Sequence, residues 1–366
     1  MIIYPIRLGR LTQKDNIIIM ITIIKFKTFI MKINNPKFLL TPLVLATTVA
    51  FANWDSDSEV TPMNNATTND EDRSAFIDLT TMIAAGDLEG AQSQVIEAAT
   101  DQGVGFTQSF LEKYFPTVEV SFETKEGTKP TTGILVVAPL SDQEDIENTI
   151  FTQVSAFYTD NRTTLNAGLG YRRLVSDNTL MLGVNAFYDH EFPYDHGRYS
   201  VGLEARSTVG EVNANMYQAT TKWKTGKNGQ QERALDGWDI EAGLPLPYMN
   251  WATVFVKRYE WDGVDGGKDA KGNDAQLRAY VPLLPGLEIQ AGRTFKDDAK
   301  DSNYFTAIFN VTEAFSNKPK QPIQWFNDTA YKLESMEDRR YEKVRRENII
   351  VKQVKNTGFT NTVKGI

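Results

Sequence analysis

From Val118 to Val311 apolar residues recur at every second position, and the intervening positions carry Gly, Asn, Arg and Glu. Leu165, Ala167, Leu169 and Tyr171 alternate with Asn166, Gly168, Gly170 and Arg172, and Leu180, Leu182, Val184, Ala186 and Tyr188 with Met181, Gly183, Asn185, Phe187 and Asp189. A period of two is that of a β-strand with unlike faces. Twelve such segments are predicted, at 118–124, 131–139, 148–158, 163–173, 178–189, 198–208, 211–221, 236–245, 250–260, 274–282, 286–294 and 303–311. The facing of the ninth is ambiguous around Trp251 to Lys257. A soluble β-sandwich shows the same alternation. Segments of about ten residues separated by turns, with aromatics at their ends (Tyr158, Tyr171, Tyr188, Trp251, Tyr259, Trp261), favour a transmembrane barrel with lipid outside and polar groups inside. An even strand count returns the chain to its starting side. The connections near 125–130, 159–162, 190–197, 222–235, 261–273 and 295–302 then share one end and, with 140–147 as the exception, exceed those at the other.

Upstream the pattern differs. Residues 73–115 place Phe76, Ile77, Leu79, Ile83, Ala91, Val95, Phe110 and Leu111 at mixed threes and fours, a helical period. Residues 53–72 are polar and read as a disordered leader. Met31 opens a secretory signal: Lys32 and Lys37, an apolar stretch from Phe38 to Val49, then Ala50-Phe51-Ala52 with cleavage after Ala52. The apolar stretch is too short for a membrane anchor. Residues 1–30 read as an artefactual extension ahead of that start, so translation from Met1 or Met31 stays open.

Composition sharpens this picture. The chain has 39 Lys+Arg against 47 Asp+Glu, no Cys and two His. Removing residues 1–52 takes away seven Lys/Arg and one Asp, leaving 32 basic and 46 acidic residues and a charge of −14. Such acidity argues against a nucleic-acid partner. Without cysteine there is no disulfide, thiolate metal site or cysteine nucleophile. The mean hydropathy of −0.37 fits a barrel whose strands turn one face to a polar lumen.

Several motifs, in order, resemble the barrel of the intimin and invasin family of inverse autotransporters (type Ve secretion). They are Asp160-Asn161-Arg162 leading into Thr163 to Arg172, the run Met181 to Asp189 with Asn185, Phe187, Tyr188 and Asp189, then Asp195-His196-Gly197-Arg198, and Gly237-Trp238-Asp239 continuing to Ala242. The resemblance covers about residues 110–351. It implies an all-β fold, a twelve-stranded antiparallel outer-membrane barrel, with a short N-terminal helical periplasmic segment and a C-terminal linker helix or segment in the lumen. Ser335 to Val351, with Arg339, Arg340, Tyr341, Arg345 and Arg346, resembles that linker. Its basic side chains are suited to neutralise a lumen lined by Glu204, Asp239, Glu241 and Glu288. An amphipathic tail helix outside the barrel is the alternative.

The implied organisation is an extension (1–30), a signal peptide (31–52), leader and periplasmic helices (53–115), the barrel (116–311), and a linker with a short tail (312–366). No peptidoglycan-binding module is recognisable in 53–115 and no passenger domain after the linker. The implied function is export or display of a C-terminal segment, linked by family analogy to adhesion; a passengerless, porin-like channel is the alternative. Expected partners are outer-membrane lipid and lipopolysaccharide, with Lys222 to Arg233 as a candidate contact. The barrel-assembly machinery, periplasmic chaperones and a separately encoded passenger complete the expected set. Asp189, His190, Glu191, Asp195 and His196 group metal-ligand residue types, but they sit at a predicted turn and the resemblance gives them a structural role. Ser200 lies close to His196 in sequence and faces the lumen. Neither a metal, a cofactor nor a catalytic residue is expected.

Overall fold

The computed structural model describes Gly90 and residues 114–314, 316, 324–355 and 361–364. The signal peptide, the leader and nearly all of the helical segment before Tyr114 lie outside them.

Chain order gives β1 (Thr117–Lys125), β2 (Thr131–Pro139), β3 (Asn148–Thr159), β4 (Arg162–Val175), β5 (Leu180–Phe192), β6 (His196–Ser207), β7 (Gly210–Ala219), β8 (Lys224–Thr225) and β9 (Gln231–Ala234). There follow β10 (Gly237–Leu246), β11 (Met249–Trp261), β12 (Ala270–Tyr280), β13 (Leu287–Lys296), β14 (Ser302–Asn310), a helical turn α1 (Val311–Ala314), β15 (Lys352–Lys355) and β16 (Asn361–Lys364). Twelve of the strands, β1–β7 and β10–β14, close into one antiparallel barrel. The seam is β1 against β14, with Val120 opposite Phe309. Closure leaves no unpaired edge in the wall, which a lipid environment demands of a sheet.

Side-chain alternation sorts the wall. Leu203, Met216, Leu244, Val256 and Leu277 are exposed on the outside, where a soluble protein would bury them, whereas Asn166, Arg172, Asn185, Asp189, Arg198 and Glu204 are buried inside. The connections 126–130, 160–161, 193–195, 220–236, 262–269 and 297–301 lie at one end of the barrel and 140–147, 176–179, 208–209, 247–248 and 281–286 at the other. These are termed the long-loop and short-turn ends.

Inward-facing aromatics follow a rule of their own: each lies on a glycine directly opposite in the neighbouring strand. Phe151 pairs with Gly170, Phe187 with Gly168, Phe255 with Gly243, and Trp261 with Gly237. A Cβ on Gly170 would stand 2.1 Å from the Phe151 ring, so only glycine lets that ring lie flat against the wall. This explains the ambiguous ninth segment, now β11: both its faces are apolar because its lumen side carries Phe255, Tyr259 and Trp261. Tyr259 and Trp261, expected in an interfacial girdle, are buried in the lumen with Tyr217, Leu235 and Val351.

Two further expectations change. Residues 222–235 are not simply an exposed loop, since β8 and β9 form a hairpin that joins β15 and β16 in a separate four-stranded sheet, order β16-β15-β9-β8. The connection read as 190–197 shrinks to a three-residue turn because β5 and β6 run on to pair Glu191 with His196.

Candidate functional site: a lumen filled by its own linker

After α1 the described chain resumes at Gln324 on the short-turn rim, enters the lumen at Met336 and leaves it beside β9. Met336 N donates to Asn178 O (2.7 Å) in the β4–β5 turn, and its side chain is buried against Leu174 and Met181. At the other end Leu235 N donates to Val351 O (3.0 Å), and β15 continues antiparallel to β9 with Lys352 opposite Ala234. Between these points a short 3-10 turn (Glu337–Arg339) gives way to irregular chain with bends at Arg346 and Ile349, not to a helix.

Irregular backbone inside a pore has no ladder partner, and its carbonyls need donors. Three wall arginines supply them. Arg172 Nη1 donates to Arg340 O (2.7 Å) and Glu342 O (2.6 Å). Arg206 donates to Lys343 O (3.2 Å), and Arg198 to Glu347 O (2.7 Å) and Ile349 O (3.1 Å). Arg198 spans its two carbonyls with the two arms of its fork, Nη2 on Glu347 O and Nη1 on Ile349 O, whereas Arg172 serves both of its carbonyls from Nη1 alone. Thr117 Oγ1, Asn215 Nδ2 and Asn166 Nδ2 donate to Tyr341 O, Arg345 O and Asn348 O. Two wall side chains serve the linker amides: Gln153 Oε1 accepts from Val344 N (2.8 Å) and Tyr217 OH from Glu347 N (2.7 Å).

Linker side chains answer with charge. Lys343 pairs with Glu119 (2.7 Å), Arg345 with Glu211 (2.9 Å), Arg346 with Asp189 (2.6 Å) and Lys352 with Glu191. Each wall acid sits further toward the long-loop end than the last, except that Glu119 and Glu211 are near one level, so the pairs form a ladder along the pore. Arg346 also stacks 4.3 Å from the centre of the Phe187 ring. Arg339 instead pairs within the linker, with Glu342, and Arg340 donates to Asp145 O (3.0 Å) of the short-turn end. Tyr341 and Val344 fill an apolar pocket of Leu135, Val137, Phe151 and Phe187. A cavity of about 1220 Å³ remains on the other side, toward Glu123, Lys257, Asp274, Arg278 and Tyr304.

The family model for the inverse autotransporter beta-domain matches residues 68–348. This chain belongs to that family. The inverse autotransporter relatives include an attaching and effacing protein homolog of Escherichia coli (strain K12), 31% identical over 206 residues that cover 54% of this chain and 68% of that protein. Intimin of Escherichia coli O111:H- is 26% identical over 277 residues, 72% of this chain but 28% of intimin. The inverse autotransporter adhesin YeeJ of Escherichia coli (strain K12) is 34% identical over 122 residues, 32% of this chain and 5% of YeeJ. The chain therefore spans a small part of intimin and YeeJ. A solved chain from work on in-meso crystallization of membrane proteins shares the fold, with a TM-score of 0.56 and 22% identity over 65% of this chain and 100% of that one. The protein is an outer-membrane barrel of a Gram-negative bacterium, an anchor and translocator by family.

With the inverse autotransporter fold in place, the motif residues separate by role. Asp160 and Asn161 have φ of 52° and 61° and close the tight β3–β4 hairpin; both positions demand left-handed backbone that Asp and Asn tolerate. Arg162 bridges Glu191 (2.6 Å) and Glu232 (2.8 Å). Asp189 accepts from Arg198 (2.8 Å), Arg346 and Asn166 (2.8 Å). Asp239 accepts from Asn215 (2.8 Å) and Tyr217 (2.7 Å). Asn185 is buried on the lumen face next to Gly202. Phe187 underlies Arg346, whereas Tyr188 packs against Tyr199 at 5.2 Å and Trp238 is exposed on the outside. Gly237 makes room for the Trp261 ring.

The lumen acids named from sequence are buried, but their partners are wall residues. Glu204 pairs with Arg172 and Arg206, and Glu241 with Arg278. Asp239 is held as above, and Gln290 donates to Glu288. The acids that meet linker cations are Glu119, Glu211, Asp189 and Glu191, of which only Asp189 stood among the family-motif residues, Glu191 having been grouped with the metal-ligand types. Arg206, Glu119, Glu211 and Gln153 were missed although each occupies an inward position of the alternation; nothing in a single strand says which inward group will face the linker.

The grouping of metal-ligand residue types divides three ways. Asp189 serves the arginines, His190 faces Asp195 (3.4 Å), and Glu191 and His196 join Glu232 from the β9 hairpin. Ligand atoms of these last three lie within 4.8 Å of one another, with Arg162 and Lys352 as their counter-charges. Burial raises the Glu232 carboxyl, but the His196 imidazole 3.6 Å away, the hydrogen bond from Arg162 and the Arg162 and Lys352 charges outweigh it and hold the group down at about 2. Ser200 Oγ accepts from Arg346 (3.0 Å) and has no contact with His196.

Proposed function

We propose that the barrel exports its C-terminal segment to the cell surface and afterwards keeps the linker as plug and anchor, with adhesion the task of whatever the linker displays. The observation that supports this reading is continuity: one segment, Met336 to Val351, traverses the lumen from the short-turn end to the long-loop end and is bound at nearly every residue by wall groups. Long connections face outward in outer-membrane barrels, so the short-turn end is periplasmic and β15 stands at the surface. Assembly by the barrel-assembly machinery with periplasmic chaperones, and a passenger supplied on this chain or separately, belong to the same reading.

The test is an epitope tag placed after Ile366 in cells expressing the full chain. Antibody should label intact cells. Labelling that requires prior permeabilisation of the outer membrane would reject export.

The passive-channel reading draws on the cavity beside the linker. It requires a steady current through the full chain.

A further inference from the structure

We propose that residues 324–335 form a strap that lies in the membrane interface, binding bilayer phospholipid through Trp325, Phe326, Tyr331 and Leu333.

The path of the chain comes first. β14 ends beside β1, where Thr312 Oγ1 donates to Phe115 O (2.8 Å), yet the chain enters the lumen at the β4–β5 turn. In the closed barrel these places are four strands apart by way of β1 to β4 and eight by way of β14 to β5, and the described part of the connection lies on the longer arc. The described part of the connection follows that rim and is fastened to three successive short turns. Asn327 N donates to Tyr248 O (2.8 Å) and Tyr248 N to Ala330 O (3.1 Å) at the β10–β11 turn. Trp251 Nε1 donates to Trp325 O (3.0 Å), the two indoles meeting edge to face. Thr208 Oγ1 donates to Lys332 O (2.7 Å) and accepts from Glu334 N (3.0 Å) at the β6–β7 turn. Met336 closes the series at Asn178.

Fastened through its backbone, the strap leaves large apolar side chains uncovered. Trp325 is 44% exposed, Phe326 70%, Tyr331 44% and Leu333 55%. In water such a set has no stabilising partner. Here it borders Tyr248, and on the same rim Leu283 and Leu284 are also exposed. These residues continue the lipid-facing band of Leu244, Val256 and Leu277 down to the level where headgroups begin. Aromatic side chains partition to that level, with ring in the acyl boundary and polar backbone toward water. Tyr331 and Leu333, two residues apart in extended chain, point the same way. Between them Lys332 is ion-paired with Glu334, which keeps an uncompensated charge out of the interface. The inference requires only that the barrel spans the membrane, so it stands or falls independently of export.

Because the chain has no cysteine, single nitroxide labels can be placed at L333C and F326C in the full chain. The protein is reconstituted in phosphatidylethanolamine–phosphatidylglycerol vesicles. Collision with oxygen, which concentrates in the bilayer, is compared with collision with a water-soluble nickel chelate. V256C on the lipid-facing wall and D298C in a long-loop connection give the bilayer and water references. The strap labels should show an oxygen-to-nickel ratio several-fold above D298C and approaching V256C. A ratio equal to D298C would place the strap in water and overturn the proposal. Low collision with both would mean that another part of the chain or another protein covers it, and would overturn it equally. Heat-modifiable gel mobility confirms that each labelled barrel is folded, and Y331C substitutes for a variant that is not.

Discussion

Asp189 accepts from two arginines that belong to different parts of the molecule, Arg198 of the wall and Arg346 of the linker, and all three side chains are fully buried. Removing the shared carboxylate strands two guanidinium charges at once, and a buried pair broken on one side costs about 3–5 kcal/mol. Asp189→Ala is therefore expected to lower markedly the temperature at which the folded band converts to the unfolded one on a detergent gel. Asp189→Asn, which keeps one acceptor, should fall between the two. Wild-type heat resistance in Asp189→Ala would remove Asp189 from the centre of the plug. Sequence named Asp189 through its motif and put it on the lumen side by alternation, but took its neighbourhood for a turn with metal-ligand types. The difference is Arg346, whose position depends on threading the chain through the pore, a contact 157 residues apart. Local patterns do not encode such a contact.

At the scale of elements, β15 is held at the long-loop end in two ways: by strand addition to β9, and by the cluster in which Arg162, Glu191, Glu232 and Lys352 compensate one another. Glu232 titrates at about 2 in the folded protein, below the ordinary glutamate value of about 4.3. A depressed carboxylate stabilises the fold fully above its unfolded value and loses that contribution as pH falls through the folded one. Protection of β9 and β15 amides from hydrogen exchange, corrected for intrinsic rates, should hold down to about pH 4.5 and decline toward pH 2. Glu232→Gln should begin with weaker protection and show a flatter profile. Constant wild-type protection across that range would show that the cluster does not fasten β15. The barrel strands were legible within a few residues because each repeats its alternation over nine or more positions. β8 and β9, with two and four residues, present no such repeat, and the edge that completes them arrives 118 residues later in the chain.

For the molecule as a whole, the lumen is a conduit only to the extent that the linker leaves space. Deleting residues 336–351 is expected to raise single-channel conductance in planar bilayers several-fold over the full chain, since it opens the half of the pore that Tyr341, Val344 and the cation ladder fill. Equal conductance would show that the linker is not what closes the barrel, and would favour the passive-channel reading. That the pore is a barrel at all could be read from twelve alternating segments together with the intimin and invasin motifs. That aromatics line it could not, because Phe151, Phe187 and Phe255 look like core residues until glycines opposite them are seen to leave room. The path of the chain has one further, mechanical consequence. Because the polypeptide runs round its own rim and then through a ring made of its own earlier strands, tension applied at the long-loop end does not peel β14 from β1. It shears the pairs at Lys343, Arg345 and Arg346 together and draws the strap tight against the short turns, so that load tightens the attachment before it can unravel the wall.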